Sequence, residues 1–481
     1  MPEPHLMDQA DHTDHAHHPH HADQPNSTDL PHQSDRPNRM DQADQPPPPN
    51  QPPPPGQADQ PPPPDVANQP PPPDLATSVL QRNRAELLAA LGSIATQEAA
   101  TAEFDSSLAA LRGARAEIDA HRPRAITELG VFLPSNNILY SYVLFGLIPS
   151  RFAERIVMRP SRRVGEESRE IHRIITSDPA FRNHHAIDLT DLTQRQFMAR
   201  CARSEAVVFN GRPENAQDVG GRLPSRSLLL AFGSGPNPIV VGPDAELATV
   251  ARDIVRTRTH NSGQDCLCPD VVFAHHTIAD DLLTALREAL RAVPVGPLTD
   301  PATTVGPLCY PDAVRQAAAF LEAHRDRVRE GGTTDHRAGL ITPTLLDLAW
   351  DDSFLPPEFF APVVCVMRYT GAADVLRWLH TPAERRRGMY VSLYGEPGLH
   401  PTPTHPSLHP HPSPHPSLHP RLGTSVALDS RTALDAENGN EPLGGYGPDA
   451  GHVRAHGTLT ARPLLLSAEL GRTRPEEGAR A

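Results

Sequence analysis

From Ala76 to Arg124 the apolar residues recur at helical spacing, with Leu87, Leu88, Leu91 and Ile94 followed by Leu108, Leu111 and Ile118, which predicts two helices. Beyond them the pattern changes to short apolar runs that end in polar turns. Gly130-Val131-Phe132-Leu133 leads into Pro134-Ser135-Asn136-Asn137, and Ile156-Val157-Met158 leads into Arg159-Pro160-Ser161. A long apolar stretch from Ile138 to Ile148 lies between them, and a charged helix with Glu166, Glu167 and Ile171 follows. Ala206-Val207-Val208-Phe209-Asn210-Gly211, Leu228-Leu229-Leu230, Ile239-Val240-Val241 and Val271-Val272-Phe273 are further strand candidates. Helical patterns over 245–256 and 281–293 fall among them, the second with Leu282, Leu283, Leu286 and Leu290 on one side. Repeated alternation of strand, turn and helix predicts an α/β fold with parallel sheets and crossover helices.

Two segments break the alternation. Residues 1–77 carry His15, His17, His18, His20 and His21 and four Pro-Pro-Pro-Pro blocks, and residues 399–421 repeat histidine and proline. Such compositions cannot bury enough apolar surface to offset their ordering entropy, so a disordered tail and an inserted surface loop are expected. Nickel or zinc capture by the histidines, or docking of an aromatic groove on the prolines, is the functional alternative; a solvated tail is the plainer reading.

Composition narrows the function classes. A formal net charge of -14 argues against a nucleic-acid groove. Five cysteines in 481 residues do not form a disulfide framework, and the first residues lack the basic and apolar regions of a leader. No apolar run reaches bilayer length, so no membrane partner is expected and the reading is a soluble cytoplasmic protein with reduced thiols.

The candidate chemistry centres on Cys266, which lies in the turn Asn261-Ser262-Gly263-Gln264-Asp265-Cys266 just before an apolar strand. A thiolate there is suited to attack on a carbonyl carbon, given a positioned oxyanion donor. A buried core thiol is the competing reading. Metal ligation by Cys266 and Cys268 fails, because no second Cys/His pair stands at zinc spacing, and no metal site is expected. Gly211, after a strand and before a helix, would let backbone amides approach a phosphate.

These segments together resemble the motifs of the aldehyde dehydrogenase superfamily, in the same order, from about Gly130 to about Leu470. Gly263-Gln264-Asp265-Cys266 resembles the nucleophile motif, and Pro134-Ser135-Asn136-Asn137 places Asn136 at the oxyanion-holding amide. Pro357-Glu358-Phe359-Phe360-Ala361-Pro362-Val363 is similar to the segment whose glutamate holds the nicotinamide ribose, which implies that role for Glu358 and nicotinamide packing for Phe360. Asn438-Gly439-Asn440-Glu441-Pro442-Leu443-Gly444-Gly445-Tyr446 resembles the late Pro-Phe-Gly-Gly segment. The resemblance implies an aldehyde dehydrogenase-like α/β architecture: a dinucleotide-binding parallel-sheet domain over 78–262, a catalytic α/β domain over 263–435, a bridging return over 436–470 and a flexible end over 471–481. It also implies NAD or NADP as cofactor and a homodimer or higher homo-oligomer. Arg159 and Arg162 replace the lysine and glutamate of the family's Lys-Pro-Ser-Glu segment around Ser161; an arginine pairs with a 2′-phosphate that a glutamate repels, which tilts the expectation towards NADP.

Two departures matter. Ala231-Phe232-Gly233-Ser234-Gly235-Pro236-Asn237-Pro238 stands where the family has Glu-Leu-Gly-Gly-Lys-Asn-Pro, so the water-activating glutamate is missing. Ala216 replaces the second glycine of the segment that begins at Gly211. The expected function is an NAD(P)-dependent oxidoreductase acting on an aldehyde or acyl thioester through a thiohemiacetal and thioacyl intermediate on Cys266. The alternative is a catalytically impaired relative that binds or scaffolds.

Overall fold

The computed structural model describes residues 75–178, 181, 187–399 and 422–473. The apolar runs form two sheets. In the first, β1 (Ile126–Phe132), β2 (Ala153–Arg159), β3 (Ile187–Leu189), β4 (Ala206–Asn210) and β5 (Leu228–Phe232) lie parallel in the order β5-β4-β1-β2-β3. In the second lie β6 (Ile239–Val241), β7 (Val271–His275), β8 (Val328–Glu330), β11 (Thr344–Leu348), β12 (Val363–Tyr369), β13 (Tyr390–Tyr394) and β14 (Val426–Asp429), with a small hairpin of β9 (Thr334–Asp335) and β10 (Leu340–Ile341) apart from it. Its order is β14-β13-β6-β7-β12-β11-β8, parallel except for β8. A late hairpin, β15 (Gly451–Ala455) and β16 (Thr458–Ala461), returns to the first sheet and adds antiparallel to β5.

The chain crosses between the sheets in the glycine- and proline-rich stretch from Gly233 to Pro238, so β6 already belongs to the second sheet. That is ahead of the boundary placed at residue 262. Ile239-Val240-Val241 is apolar on both faces, as a central parallel strand must be, and its local pattern does not say which sheet it joins.

Among the described residues three helices, not two, precede β1: α1 (Leu75–Arg82), α2 (Arg84–Leu91) and α3 (Gln97–His121). The first break comes at Asn83, whose side chain turns back on the Val79 carbonyl, and the second at Thr96, which caps α3 by accepting from the Ala99 N–H. α1 opens inside the segment expected as tail, because Ala76, Val79 and Leu80 pack into the main core. Leu399, at the start of the expected insertion, is likewise buried. At the other end the last helix runs to Arg472, inside the segment expected to be flexible. The rest of the tail and of the insertion lies outside the described residues. The apolar stretch after β1 forms α4 (Ile138–Tyr142), which continues as a π turn over Val143–Leu147.

Because β1, β2, β4 and β5 run parallel, their polar turns gather at one edge, the carboxyl ends of the strands. In open α/β sheets a ligand crevice forms there, where strand order reverses, which here is between β1 and β4. No helix among the described residues is long and apolar enough to cross a membrane.

Candidate active site

The cysteine loop is built by unusual backbone. After the helix Leu247–Thr259, three successive residues take left-handed conformations, with φ of 46° at Asn261, 58° at Ser262 and 80° at Gly263. At Gly263 a Cβ would come within 2.4 Å of the Ala361 backbone carbon, so only glycine lets the loop lie against the Glu358 segment. Arg258 fastens the two together. Its guanidinium, 1% exposed, reaches Asp270 at 2.6 Å and donates to the Gly263 carbonyl at 2.6 Å and the Pro269 carbonyl at 3.2 Å. Asp270 in turn accepts the Phe359 N–H at 3.3 Å. Cysteine loop, β7 and the Glu358 segment therefore share one buried ion pair.

Within the loop, Asp265 accepts the Leu267 N–H at 2.8 Å and the Asn137 side-chain amide at 2.6 Å, and the Cys266 carbonyl accepts from Asn237 at 2.7 Å. The Cys266 N–H makes no hydrogen bond among the described residues, which leaves it open to an oxyanion. Its thiol is half-buried in the wall of a cavity of about 890 Å³. Burial pushes that thiol well above its ordinary pKa, and the charges of Asp265, Glu437 and Glu358 add to the rise. Cys268 is buried and donates its thiol to the Thr257 carbonyl, and Cys365 is a core residue of β12.

Asn136 sits across the cavity. Its Nδ2 donates to the Gln264 carbonyl at 3.2 Å while its Oδ1 accepts the Tyr310 hydroxyl at 3.2 Å, so its amide hydrogens face the cysteine loop. Arg159, Ser161, Arg162, Gly211, Glu358 and Phe360 line the same cavity, so all eight residues singled out from the sequence meet in one place. Gly211 takes φ 153°, and a Cβ there would come within 3.2 Å of the Phe209 ring. Arg159 donates to the Leu192 carbonyl at 3.1 Å, Ser161 receives the Ser135 hydroxyl at 2.6 Å, and Arg163 pairs with Asp312 at 2.8 Å. Exposed Arg162 makes no ion pair among the described residues; with Arg163 and Arg169 it rims an adjoining hollow of about 400 Å³.

Glu358 accepts the Ser234 hydroxyl through Oε2 at 2.5 Å, while its Oε1 is buried without a partner. Burial pushes its carboxyl up to about 8. A buried acceptor left empty costs free energy unless a ligand hydroxyl completes it, which fits a ribose. Phe360, held at φ 44°, sets its ring 5.6 Å from that of Tyr310.

At the place of the missing base the structure is apolar. Phe232 ends β5 with its ring 5.3 Å from Phe145 of the π turn, and Ala231 is buried in the sheet. Glu214 is exposed at the start of the helix Pro213–Arg222. The carboxylate that sequence reasoning passed over is Glu437, half-buried in the same wall as Cys266. Burial and the charge of Asp265 push it up to about 8, while the neighbouring Tyr140 hydroxyl pulls it down. No spacing rule links Glu437 to Cys266; its only sequence signal is its place directly before Asn438-Gly439. Tyr310 and Ser234, which orient Asn136 and Glu358, were missed for the same reason. Among the described residues no group of three or more His, Cys, Asp or Glu side chains is arranged to hold a metal ion.

Residues 191–381 match the model of the aldehyde dehydrogenase family. Over 207 residues the chain is 28% identical to the alpha-aminoadipic semialdehyde dehydrogenase of Mus musculus, a match that takes in 41% of this chain and 37% of that protein, well under half its length. Two solved structures share the fold over 82% of this chain. One is the glyceraldehyde-3-phosphate dehydrogenase of Methanocaldococcus jannaschii complexed with NADP, at 17% identity, TM-score 0.66 and 85% of its length. The other is a Mycobacterium tuberculosis aldehyde dehydrogenase complexed with NAD+, at 16% identity, TM-score 0.65 and 82% of its length.

Proposed function

We propose that this chain, which resembles the aldehyde dehydrogenase family over residues 191–381, oxidises an aldehyde with NAD or NADP through a covalent intermediate on Cys266. The observation that carries this reading is the convergence on one cavity of a half-buried thiol, its own unused N–H and the Asn136 amide. The Cys266 sulfur bonds to the aldehyde carbon to give a thiohemiacetal, and the N–H of Cys266 and the amide of Asn136 stabilise the oxygen that gains charge. Asp265 and Asn237 hold the loop so that these donors stay aimed. Tyr310 fixes which face of the Asn136 amide points inward.

Glu358, with its empty Oε1, would hold the nicotinamide ribose, and Phe360 would pack against the nicotinamide. Arg159, Ser161 and Arg162 would hold the adenosine end, Gly211 letting the phosphates approach the helix that follows it. The bound nicotinamide supplies the hydride acceptor. Arg162, without an ion pair among the described residues, favours a 2′-phosphate and hence NADP.

A second reading has its own support. Phe232 in place of a base favours resolution of the thioacyl enzyme by a thiol such as coenzyme A, or the reverse reaction, reduction of an acyl thioester. One experiment separates the two. The full chain is incubated with NAD or NADP and an aldehyde panel, and with the reduced cofactors and an acyl-coenzyme A panel, each beside a Cys266→Ala control. Cys266-dependent release of carboxylic acid is the expected result. Turnover with thioesters alone selects the second reading, and silence in every condition overturns both in favour of a cofactor-binding relative without turnover.

A further inference from the structure

We propose that Glu437 is the general base of the hydrolytic half-reaction, taking the proton from the water that cleaves the thioacyl bond to Cys266. The proposal rests on the aldehyde-oxidising reading above and supplies what β5 lacks.

The position of Glu437 is built from several directions. It follows the short helix Ala433–Ala436, and Ala433, Leu434 and Ala436 pack in the same apolar cluster as Cys266, Leu267 and Tyr390. Directly after it, Asn440 donates to the Ala110 carbonyl at 2.9 Å and to Glu117 at 2.8 Å, which pins the loop to α3. Between them Gly439 approaches so closely that a Cβ would lie 2.7 Å from the Tyr140 hydroxyl and 2.8 Å from Leu144. Tyr140 itself, from α4, lies beside Glu437 and in the field of Cys266. The loop that carries the carboxyl is therefore held against α3 and α4, in the wall that also carries the thiol.

Glu437 also faces a second hollow. Together with Tyr140, Asn137 and Asn438 it lines both the Cys266 cavity and an adjoining one of about 810 Å³. A base so placed receives a proton on one side and releases it to water on the other. Phe232 packs its ring against Phe145 where the resemblance would place the base.

The water oxygen bonds to the thioacyl carbon as its proton passes to the Glu437 carboxylate. Collapse then breaks the carbon–sulfur bond, the electron pair stays on Cys266 sulfur and the carboxylic acid departs. The oxidant, NAD(P), has already taken the hydride in the preceding step, and Glu437 afterwards returns its proton to solvent.

The groups around Glu437 set its pH behaviour. Asp265 on the cysteine loop and Glu103 on α3 raise it together with burial, while the Tyr140 hydroxyl lowers it. The Tyr140 and Tyr390 phenols stay protonated, pushed up by their own burial. Arg256, His260, Arg431 and Asp435 line the second hollow, where Arg256 is paired with Asp435. A carboxyl raised in this way is protonated and idle at low pH and becomes a base as pH rises, so hydrolytic turnover climbs towards the mildly alkaline side.

The test uses the full chain with NAD(P) and an aldehyde that it oxidises. Glu437→Gln is expected to retain the stoichiometric burst of reduced cofactor, to accumulate acyl-enzyme visible by intact-protein mass spectrometry, and to lose about 10²–10³-fold in steady-state turnover. The alkaline-rising limb of kcat should vanish with it. Glu437→Asp, which keeps the base but shortens its reach, should show intermediate turnover and retain that limb, and it carries the test should the glutamine variant not fold. Turnover within threefold of the parent with the same pH profile, or loss of burst and turnover together in a folded variant, overturns the proposal. A parent chain without Cys266-dependent cofactor reduction sinks the underlying reading, and the proposal falls with it.

Discussion

The cysteine loop and the Arg159–Arg163 turn line the same cavity but are held in opposite ways. In the loop, left-handed backbone, a glycine pressed on a neighbouring backbone and a buried ion pair leave each group one place to be. At the end of β2, Arg162 and Arg163 are solvent-exposed, one without an ion pair and the other paired at the surface. The difference teaches where geometry is needed. A reacting sulfur and its oxyanion donors must be placed to within a fraction of an ångström, whereas a charged ligand end is recognised well enough by exposed cations that adjust to it.

The comparison can be broken most severely at Arg258. Arg258→Met should leave Asp270 buried and unpaired and cost about 3–5 kcal/mol of stability, read as a fall in the denaturant midpoint. A variant as stable as the parent would mean that the loop is not held by this pair. Next comes the oxyanion donor. Asn136→Ala should lower kcat by about 10²–10³-fold while leaving cofactor affinity unchanged, because the lost donor acts on charge that develops during reaction. If cofactor affinity fell instead, Asn136 would belong to the binding side of the cavity. The smallest effect is expected at the rim. Arg162→Glu should weaken NADP relative to NAD by roughly tenfold, an effect that shrinks as salt is added, with turnover at saturating cofactor unchanged. Equal weakening of both cofactors would remove the assignment to a 2′-phosphate.

Much of the fold was legible because it is local. The run from Ala206 to Asn210 and the run from Leu228 to Phe232 read as strands from their apolar residues alone, and both form. Where the reading slipped, a non-local or single-residue effect decided. The helical pattern before β1 continues through Asn83, and only the side chain of Asn83, turned onto Val79, marks the break. α1 falls within the stretch read as helical from Ala76, and its short apolar face finds a place in the core. Nothing in Ile239-Val240-Val241 indicates that it pairs with β13 and β7 in place of β5.

By itself the sequence determined that a cysteine stands in a glycine-turned loop before a strand, that an asparagine stands in the turn after an earlier strand, and that no carboxylate occupies the end of β5. These are local facts, carried by residue type and by periods of two and of 3.6. Only the tertiary structure decided that Glu437 lines the cavity of Cys266, that Tyr310 orients Asn136 and that Arg258 ties the loop to the Glu358 segment. Each of these contacts joins residues brought together by the crossing between sheets and by the return of the late chain onto α3 and α4. Their spacing along the chain carries no periodic signal, because the distance between them is set by the packed core and not by the backbone that separates them.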